Sequence, residues 1–152
     1  MEKSNRTDWL IRNRPHWIPT EDDKAKLLEA FPDIDPMHEP FGDRVLFQLM
    51  PPKEVTKGGI IIPIESKEVE QWRQQTALVI ALGPTVFKFH QDLTPWPEDD
   101  WFAVGDFVRV PMYGAERWVI EKNGKKAIFV IRRAHEVIAK ITGNPLEIAA
   151  YV

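Results

Sequence analysis

Hydrophobic and polar positions alternate with a period of two along much of the chain after Gly42. Val45, Phe47 and Leu49 are apolar at every second position, which predicts a half-buried β-strand that ends at the proline pair 51–52. Further short segments are rich in Val, Ile, Phe and Leu, and Gly or Pro lies in most of the gaps between them. They are 76–82, 107–110, 117–120, 127–131 and 137–141. This spacing predicts an all-β barrel or sandwich.

Asn123-Gly124 specifies the link between two of these strands. Both residue types tolerate the positive φ that a type I′ hairpin turn requires. We therefore expect a hairpin that joins 117–120 to 127–131.

Prolines interrupt the first forty residues, and each one removes a backbone donor and fixes φ. Between them, residues 21–31 predict a short helix, because Thr20 can cap its start and acidic residues follow at the positive end of the helix dipole. Leu27, Leu28 and Phe31 fall on one face of this helix.

The N-terminal extension, residues 1–39, carries aromatic side chains that disordered tails usually lack. We therefore expect it to pack against the rest of the protein or against a partner. Its expected apolar anchors are Trp9, Leu10, Trp17 and Ile18. At the other end of the chain, residues 144–152 are expected to form a tail.

Composition excludes several classes of function. With 152 residues, 43% of them hydrophobic and 28% charged, the chain has the profile of one globular domain. The absence of cysteine excludes disulfides and thiolate zinc sites, and a net charge of −3 gives no general attraction to nucleic acid or an anionic membrane.

No apolar run approaches the roughly 18 residues that span a bilayer, and no signal-peptide core follows the N-terminus. We expect a cytoplasmic protein with a protein partner.

The histidines do not form a catalytic or metal-binding pattern. His16, His38, His90 and His135 stand far apart in the sequence, with no pair at i, i+4 spacing. Phosphate-binding loops, nucleophile elbows and dinucleotide fingerprints are also missing from the sequence. We therefore expect no enzymatic activity, no metal and no cofactor.

The segment 57–63 is the most unusual in the chain, because three isoleucines follow a glycine pair between two charged flanks, 53–57 and 65–70. On pattern alone, Ile60–Ile64 reads as a core strand entered by a Gly-Gly turn. The alternative is a mobile loop, 53–75, whose apolar tip binds another protein; the glycines keep it mobile until it binds. The candidate residues of that tip are Gly58, Gly59, Ile60, Ile61, Ile62 and Pro63.

Several motifs, in order over residues 40–143, resemble those of GroES-type co-chaperonins. The opening strand resembles the family's P-x-x-D-R-V strand, and the isoleucine segment looks like its mobile loop. A later turn matches its V-G-D-x-V turn, and the last strand resembles its closing strand. These motifs are Pro40-Phe41-Gly42-Asp43-Arg44-Val45, Val55 to Pro63, Val104-Gly105-Asp106-Phe107-Val108 and Ala134 to Ile141.

The resemblance implies an irregular β-barrel that assembles into a seven-membered ring, with the opening strand of one copy paired to the closing strand of the next. The interface residues carried over are Arg44, Val45, Leu46, Phe47, Val137, Ile138, Ala139 and Ile141. It also implies that Ile60–Ile62 dock on the apical domains of a chaperonin ring, and that the ATPase belongs to this partner. Residues 87–101 fall where the family has its dome-roof hairpin.

Two features depart from the family pattern: the N-terminal extension and the sequence Pro95-Trp96-Pro97 in the roof segment. Such additions look like those of bacteriophage-encoded relatives, which would act in the host cytoplasm. A viral structural, decoration or assembly protein of the virion, built on the same barrel, is therefore the alternative function.

Overall fold

The computed structural model describes residues 6–51, 76–111 and 116–148. In this part of the chain, a six-stranded antiparallel sheet has the strand order β4-β5-β1-β2-β3-β6. The strands are β1, Arg44–Leu49; β2, Thr76–Leu82; β3, Phe107–Arg109; β4, Arg117–Lys122; β5, Lys125–Arg133; and β6, Ala139–Lys140. Two helices, α1 at Arg6–Ile11 and α2 at Glu21–Ala30, precede them. The predicted all-β fold with a short, partly helical N-terminal extension is confirmed.

Strand β1 is buried on both of its faces. Val45, Phe47 and Leu49 point into the main core, whereas Leu46 and Gln48 point to the opposite side, and all five are at most 1% exposed. The alternating pattern predicted a half-buried strand, and this prediction is wrong because N-terminal residues cover the second face. Even the polar Gln48 is accommodated, since its Nε2 donates to the Pro32 carbonyl at 3.1 Å.

Residues 6–41, which include most of the N-terminal extension and the two residues after it, form this cover. We call residues 6–31 the arm and residues 32–41 the strap. The arm buries Leu10, Leu27 and Phe31 in one apolar cluster with Met50, Leu78 and Phe107. The strap buries Ile34 in a second cluster with Leu46, Ala127 and Phe129. Burial of one such Leu, Ile or Phe side chain contributes about 1.5–3 kcal/mol, so the arm and strap are integral parts of the fold.

Helix α2 begins at a reciprocal cap. The Asp23 amide donates to the Thr20 hydroxyl and the Thr20 amide donates to the Asp23 carboxylate, both at 3.1 Å. The hydrogen bond from the Thr20 backbone lowers the pKa of Asp23. The helix ends at Ala30, where the Phe31 amide still bonds to the Leu27 carbonyl and Pro32 follows.

The predicted β4–β5 hairpin is confirmed, because Asn123 and Gly124 have φ values of 54° and 75°. Both strands are longer than predicted. The closing strand, in contrast, is limited to Ala139–Lys140. It follows a 3₁₀ turn at Ala134–Glu136, whose C-cap is Val137.

Gly83 is required where the end of β2 approaches the start of β1. A Cβ at this position would lie 2.3 Å from the Gly42 carbonyl oxygen and 2.8 Å from that of Arg44. The Gly83 amide also donates to the Arg44 carbonyl at 2.8 Å. The strand ends therefore meet at a distance that only glycine permits.

We predict that Gly83→Ala lowers the free energy of unfolding by about 1–3 kcal/mol or more, because the added methyl group meets backbone atoms that cannot rotate away. Chemical denaturation measures this loss. Gly143→Ala is the matched control, since nothing lies within 4 Å of its would-be Cβ, and it should change stability by less than about 0.5 kcal/mol. Equal stability of the two variants would contradict the prediction.

Candidate partner-binding and subunit surfaces

The isoleucine tip predicted to bind a partner lies outside the described residues. This applies to Gly58, Gly59, Ile60, Ile61, Ile62 and Pro63, and to the whole predicted loop 53–75. The described residues that flank this segment lie next to each other. Leu49 pairs with Ala77, and the Met50 amide donates to the Thr76 carbonyl at 3.0 Å. Residues 52–75 thus leave and re-enter the sheet at one place, between two adjacent strands.

The opening-strand residues expected at a subunit interface occupy the interior of the sheet. Val45, Leu46 and Phe47 are fully buried, and Arg44 is exposed. Strand β1 hydrogen-bonds to β2 along one edge and to β5 along the other. Both edges of β1 are therefore occupied by strands of the same chain. The exposed apolar residue nearest to the start of β1 is Phe41, which is 74% exposed.

The closing-strand residues divide into buried and exposed members. Val137 belongs to the main core, and Ile141 packs against the arm cluster. Ile138 is 58% exposed and Ala139 is exposed beside it. Strand β6 pairs only with β3 in the described part of the chain, which leaves it at one end of the strand order. The structure therefore places Ile138 and Ala139 at a sheet edge.

The roof segment, 87–101, is a short distorted hairpin. Lys88 and Pro95 form a β-bridge, and the Phe89 amide donates to the Thr94 carbonyl at 2.8 Å. Two non-glycine residues, Phe87 and Leu93, have positive φ values of 62° and 59°, a strained conformation that persists only where the surroundings hold it.

Aromatic packing holds the base of this hairpin. The Phe87 ring lies 5.0 Å from Phe102 and 5.6 Å from Trp96, both edge-on, and Trp96 lies 4.6 Å from Trp101. Phe102 in turn contacts Phe47 of β1, with ring centroids 6.4 Å apart. The base of the roof segment is therefore anchored in the main core.

A cleft of about 560 Å³ lies between the roof segment and the end of β5, with Trp96 and Trp101 in its wall. Its charged lining includes Lys88 and Arg133, but also Asp43 and Glu98. These four side chains contribute two charges of each sign. The cleft therefore does not select a ligand of either sign.

The arm docks on the Val104-Gly105-Asp106 turn through contacts that the sequence did not reveal. Arg12 Nη2 forms an ion pair with Asp106 Oδ1 at 2.6 Å, and the other Asp106 oxygen accepts the Ala103 amide at 2.8 Å. Gly105 has φ +93°, and a Cβ there would lie 2.9 Å from the Trp9 side chain. The turn thus fits the arm closely.

Arg14 also holds the arm against this turn. Its guanidinium donates to the Trp9 and Gly105 carbonyls at 2.8 and 3.1 Å and lies 4.7 Å above the centre of the Phe107 ring. Burial, followed by the nearby charge of Arg12, lowers the pKa of Arg14 to about 10, so the side chain stays protonated at neutral pH.

Three of the four predicted anchors of the extension pack on the sheet: Leu10 is buried, and Trp9 and Trp17 are partly buried against the same cluster. The expectation for Ile18 is wrong, because this side chain is 69% exposed. It precedes Pro19 in the connection between the helices. Apolar character alone did not distinguish it from the true anchors.

Within residues 6–51, 76–111 and 116–148, no group of three or more His, Asp or Glu side chains could hold a metal ion. None of the helices in these ranges is long and apolar enough to cross a membrane.

Comparison with known proteins identifies a family. The model described as Chaperonin 10 Kd subunit matches residues 37–141. Co-chaperonin GroES of Methylacidiphilum infernorum is 36% identical over 110 residues, which cover 72% of this chain and 99% of that protein. The mitochondrial 10 kDa heat shock protein of Oryzias latipes is 34% identical over 95 residues, or 62% of this chain and 85% of that protein.

The matched range contains every strand of the described sheet, from β1 to β6. Fold and matched residues together define a chaperone cofactor, which is a non-catalytic class. The chain belongs to the Chaperonin 10 Kd subunit family, and its role is that of a co-chaperonin. The predicted family and the predicted co-chaperonin role are confirmed. The arm and the first half of the strap, residues 32–36, precede the matched residues.

We predict that Phe102→Ala lowers the free energy of unfolding by about 3–5 kcal/mol, because it removes the ring that joins the roof segment to β1. Thermal or denaturant unfolding measures the effect. Phe89→Ala serves as the control within the roof segment, since Phe89 is 47% exposed, and it should cost less than about 1 kcal/mol. A small loss for Phe102→Ala would show that the aromatic contacts do not anchor the segment.

Proposed function

We propose that this co-chaperonin closes a GroEL-type chaperonin ring and that it binds the apical domains through the tip Gly58–Pro63. The partner hydrolyses ATP, and this chain contributes attachment alone. Its copies form a ring, seven-membered as in the family resemblance, so that several tips face the partner together.

The main support for this proposal is the contact between Met50 and Thr76, which flank residues 52–75. Because the Met50 amide donates to the Thr76 carbonyl at 3.0 Å, a segment of 24 residues begins and ends at one point of a rigid sheet. A long connection between adjacent strands is characteristic of functional loops. Its most apolar stretch, Ile60–Ile62, is several residues from either end of the segment in the sequence.

The energetics of this attachment favour a ring of weak contacts. Ordering a flexible tip costs about 1–2 kcal/mol of backbone entropy per residue, which offsets much of the gain from burying three isoleucines. A single tip therefore binds weakly. Tips that are linked in one ring act at a high effective concentration, and their combined attachment is strong but reversible.

The contact between copies uses the exposed members of the predicted interface, Arg44, Ile138 and Ala139, together with Phe41. Ile138 and Ala139 lie beside the β6 edge, and Phe41 is exposed just before β1. These two surfaces come from different parts of the chain, and a contact between unlike surfaces closes into a ring when the rotation permits. Val45, Leu46 and Phe47 support this interface from the interior, because they hold β1 in the sheet.

We predict that Ile61→Asp abolishes inhibition of a GroEL-type chaperonin's ATP turnover, because a carboxylate at the tip must be desolvated in an apolar groove. Circular dichroism should show an unchanged fold. Val69→Asp introduces the same charge into the same segment outside the tip, and it should retain most of the inhibition. Full inhibition by Ile61→Asp would overturn the proposed binding tip.

We predict that Ile138→Lys shifts the protein from its assembled form toward smaller species, because it places a charge in the contact between copies. Sedimentation velocity measures the distribution. Val119→Lys is the matched control, since Val119 is an aliphatic residue 43% exposed on the strand at the other end of the order, β4. An unchanged distribution for Ile138→Lys would exclude this edge from the interface.

A further inference from the structure

The arm packs against the two strand ends from which residues 52–75 depart. Leu10, Leu27 and Phe31 share one buried cluster with Met50 and Leu78. Met50 lies two positions before residue 52, and Leu78 lies three positions after residue 75. One apolar face of the arm therefore belongs to the same cluster as both ends of the segment.

Hydrogen bonds join the two ends that the arm covers. The Met50 amide donates to the Thr76 carbonyl at 3.0 Å, and Thr76 pairs with Arg109 of β3. Met50 and Thr76 are only 4% and 3% exposed. Both ends are thus buried beneath the arm cluster or beside it, although they lead to a segment proposed to bind another protein.

Polar contacts hold the arm in place independently of this apolar cluster. Arg12 pairs with Asp106 at 2.6 Å, and the Val79 amide donates to the Asp106 carbonyl at 2.9 Å. The arm is thereby connected to β2 one residue beyond Leu78. At the start of α2, Asn144 Nδ2 donates to Asp23 at 3.3 Å, so the turn before β3 and the segment after β6 both secure the arm.

We propose that the arm is a positioning element for chaperonin attachment: it braces the ends of residues 52–75 and so fixes the direction in which each binding tip leaves the sheet. This inference rests on the proposed function of the tip. A ring of tips attaches through effective concentration, which falls when the base of each tip can tilt. The arm raises affinity in this way without touching the chaperonin.

Leu27→Ala tests the brace, because it removes packing from the arm cluster and leaves the tip sequence intact. We expect at least about a threefold loss of apparent affinity for a GroEL-type chaperonin, measured from inhibition of its ATP turnover, within the range that packed networks transmit. Amide hydrogen exchange at Met50, Ala77 and Leu78 should become faster. Leu27→Met, which conserves volume, should restore both quantities.

Ile34→Ala is the matched control, because it deletes a buried aliphatic side chain from the strap, which packs against Leu46, Ala127 and Phe129 instead. Ile34→Ala should lose about as much thermal stability as Leu27→Ala. Its affinity for the chaperonin and its exchange rates at Met50 and Leu78 should stay unchanged. Arg12→Gln provides a milder test that creates no cavity, and it should weaken affinity in the same direction as Leu27→Ala.

The outcomes separate the brace from the proposed function. If Ile61→Asp abolishes inhibition while Leu27→Ala and Arg12→Gln bind as tightly as Ile34→Ala, the tip stands and the brace is overturned. Equal losses of affinity in Leu27→Ala and Ile34→Ala would also overturn it, since general destabilisation would then be the cause. Full inhibition by Ile61→Asp would overturn both ideas.

Discussion

The second face of β1 has to be covered, and the rest of the structure depends on this constraint. Leu46 and Gln48 point away from the main core, on the same side of the sheet as Leu78 and Phe107, and none of the four is more than 1% exposed. Left open to water, this side would be a large apolar patch of the kind that drives association. The arm and strap cover it within the same chain, so the sheet has cores on both faces.

The arm connects parts of the chain that are far apart in the sequence. The turn at Gly105-Asp106, which belongs to the family-like region, receives the arm through Trp9 and Arg12. The same cluster reaches Met50 at the root of residues 52–75. Gly105 therefore meets two requirements at once: it adopts a positive φ, and it leaves room for the close approach of the Trp9 indole ring.

The strands and the hairpin could be predicted from the sequence because their signals are local. A period of two and the Asn-Gly pair act over a few residues, and the cap of α2 is equally local. The family motifs supplied the function for the same reason, since each is a short run of particular residues. The isoleucine tip was proposed in this way, from an apolar run between charged flanks.

Contacts between distant residues could not be predicted. The contacts of Arg12 and Arg14 are of this kind, because nothing near these residues in the sequence indicates Asp106 or Phe107 as partners. Ile18 read as an anchor because it is apolar, although its backbone directs it to solvent. The burial of Gln48 depends on a carbonyl at Pro32, and the alternating pattern could not show that an arm would lie over that face.

The ion pair between Arg12 and Asp106 joins residues 94 positions apart, and this separation affects how the chain folds as it is made. The arm leaves the ribosome before the strands that receive it, which are completed only when β3 has emerged. Until then Leu10, Leu27 and Phe31 have no sheet to pack on, and contacts of such long range form slowly. A protein whose role is to assist folding thus contains apolar side chains whose own partners are made much later in the chain.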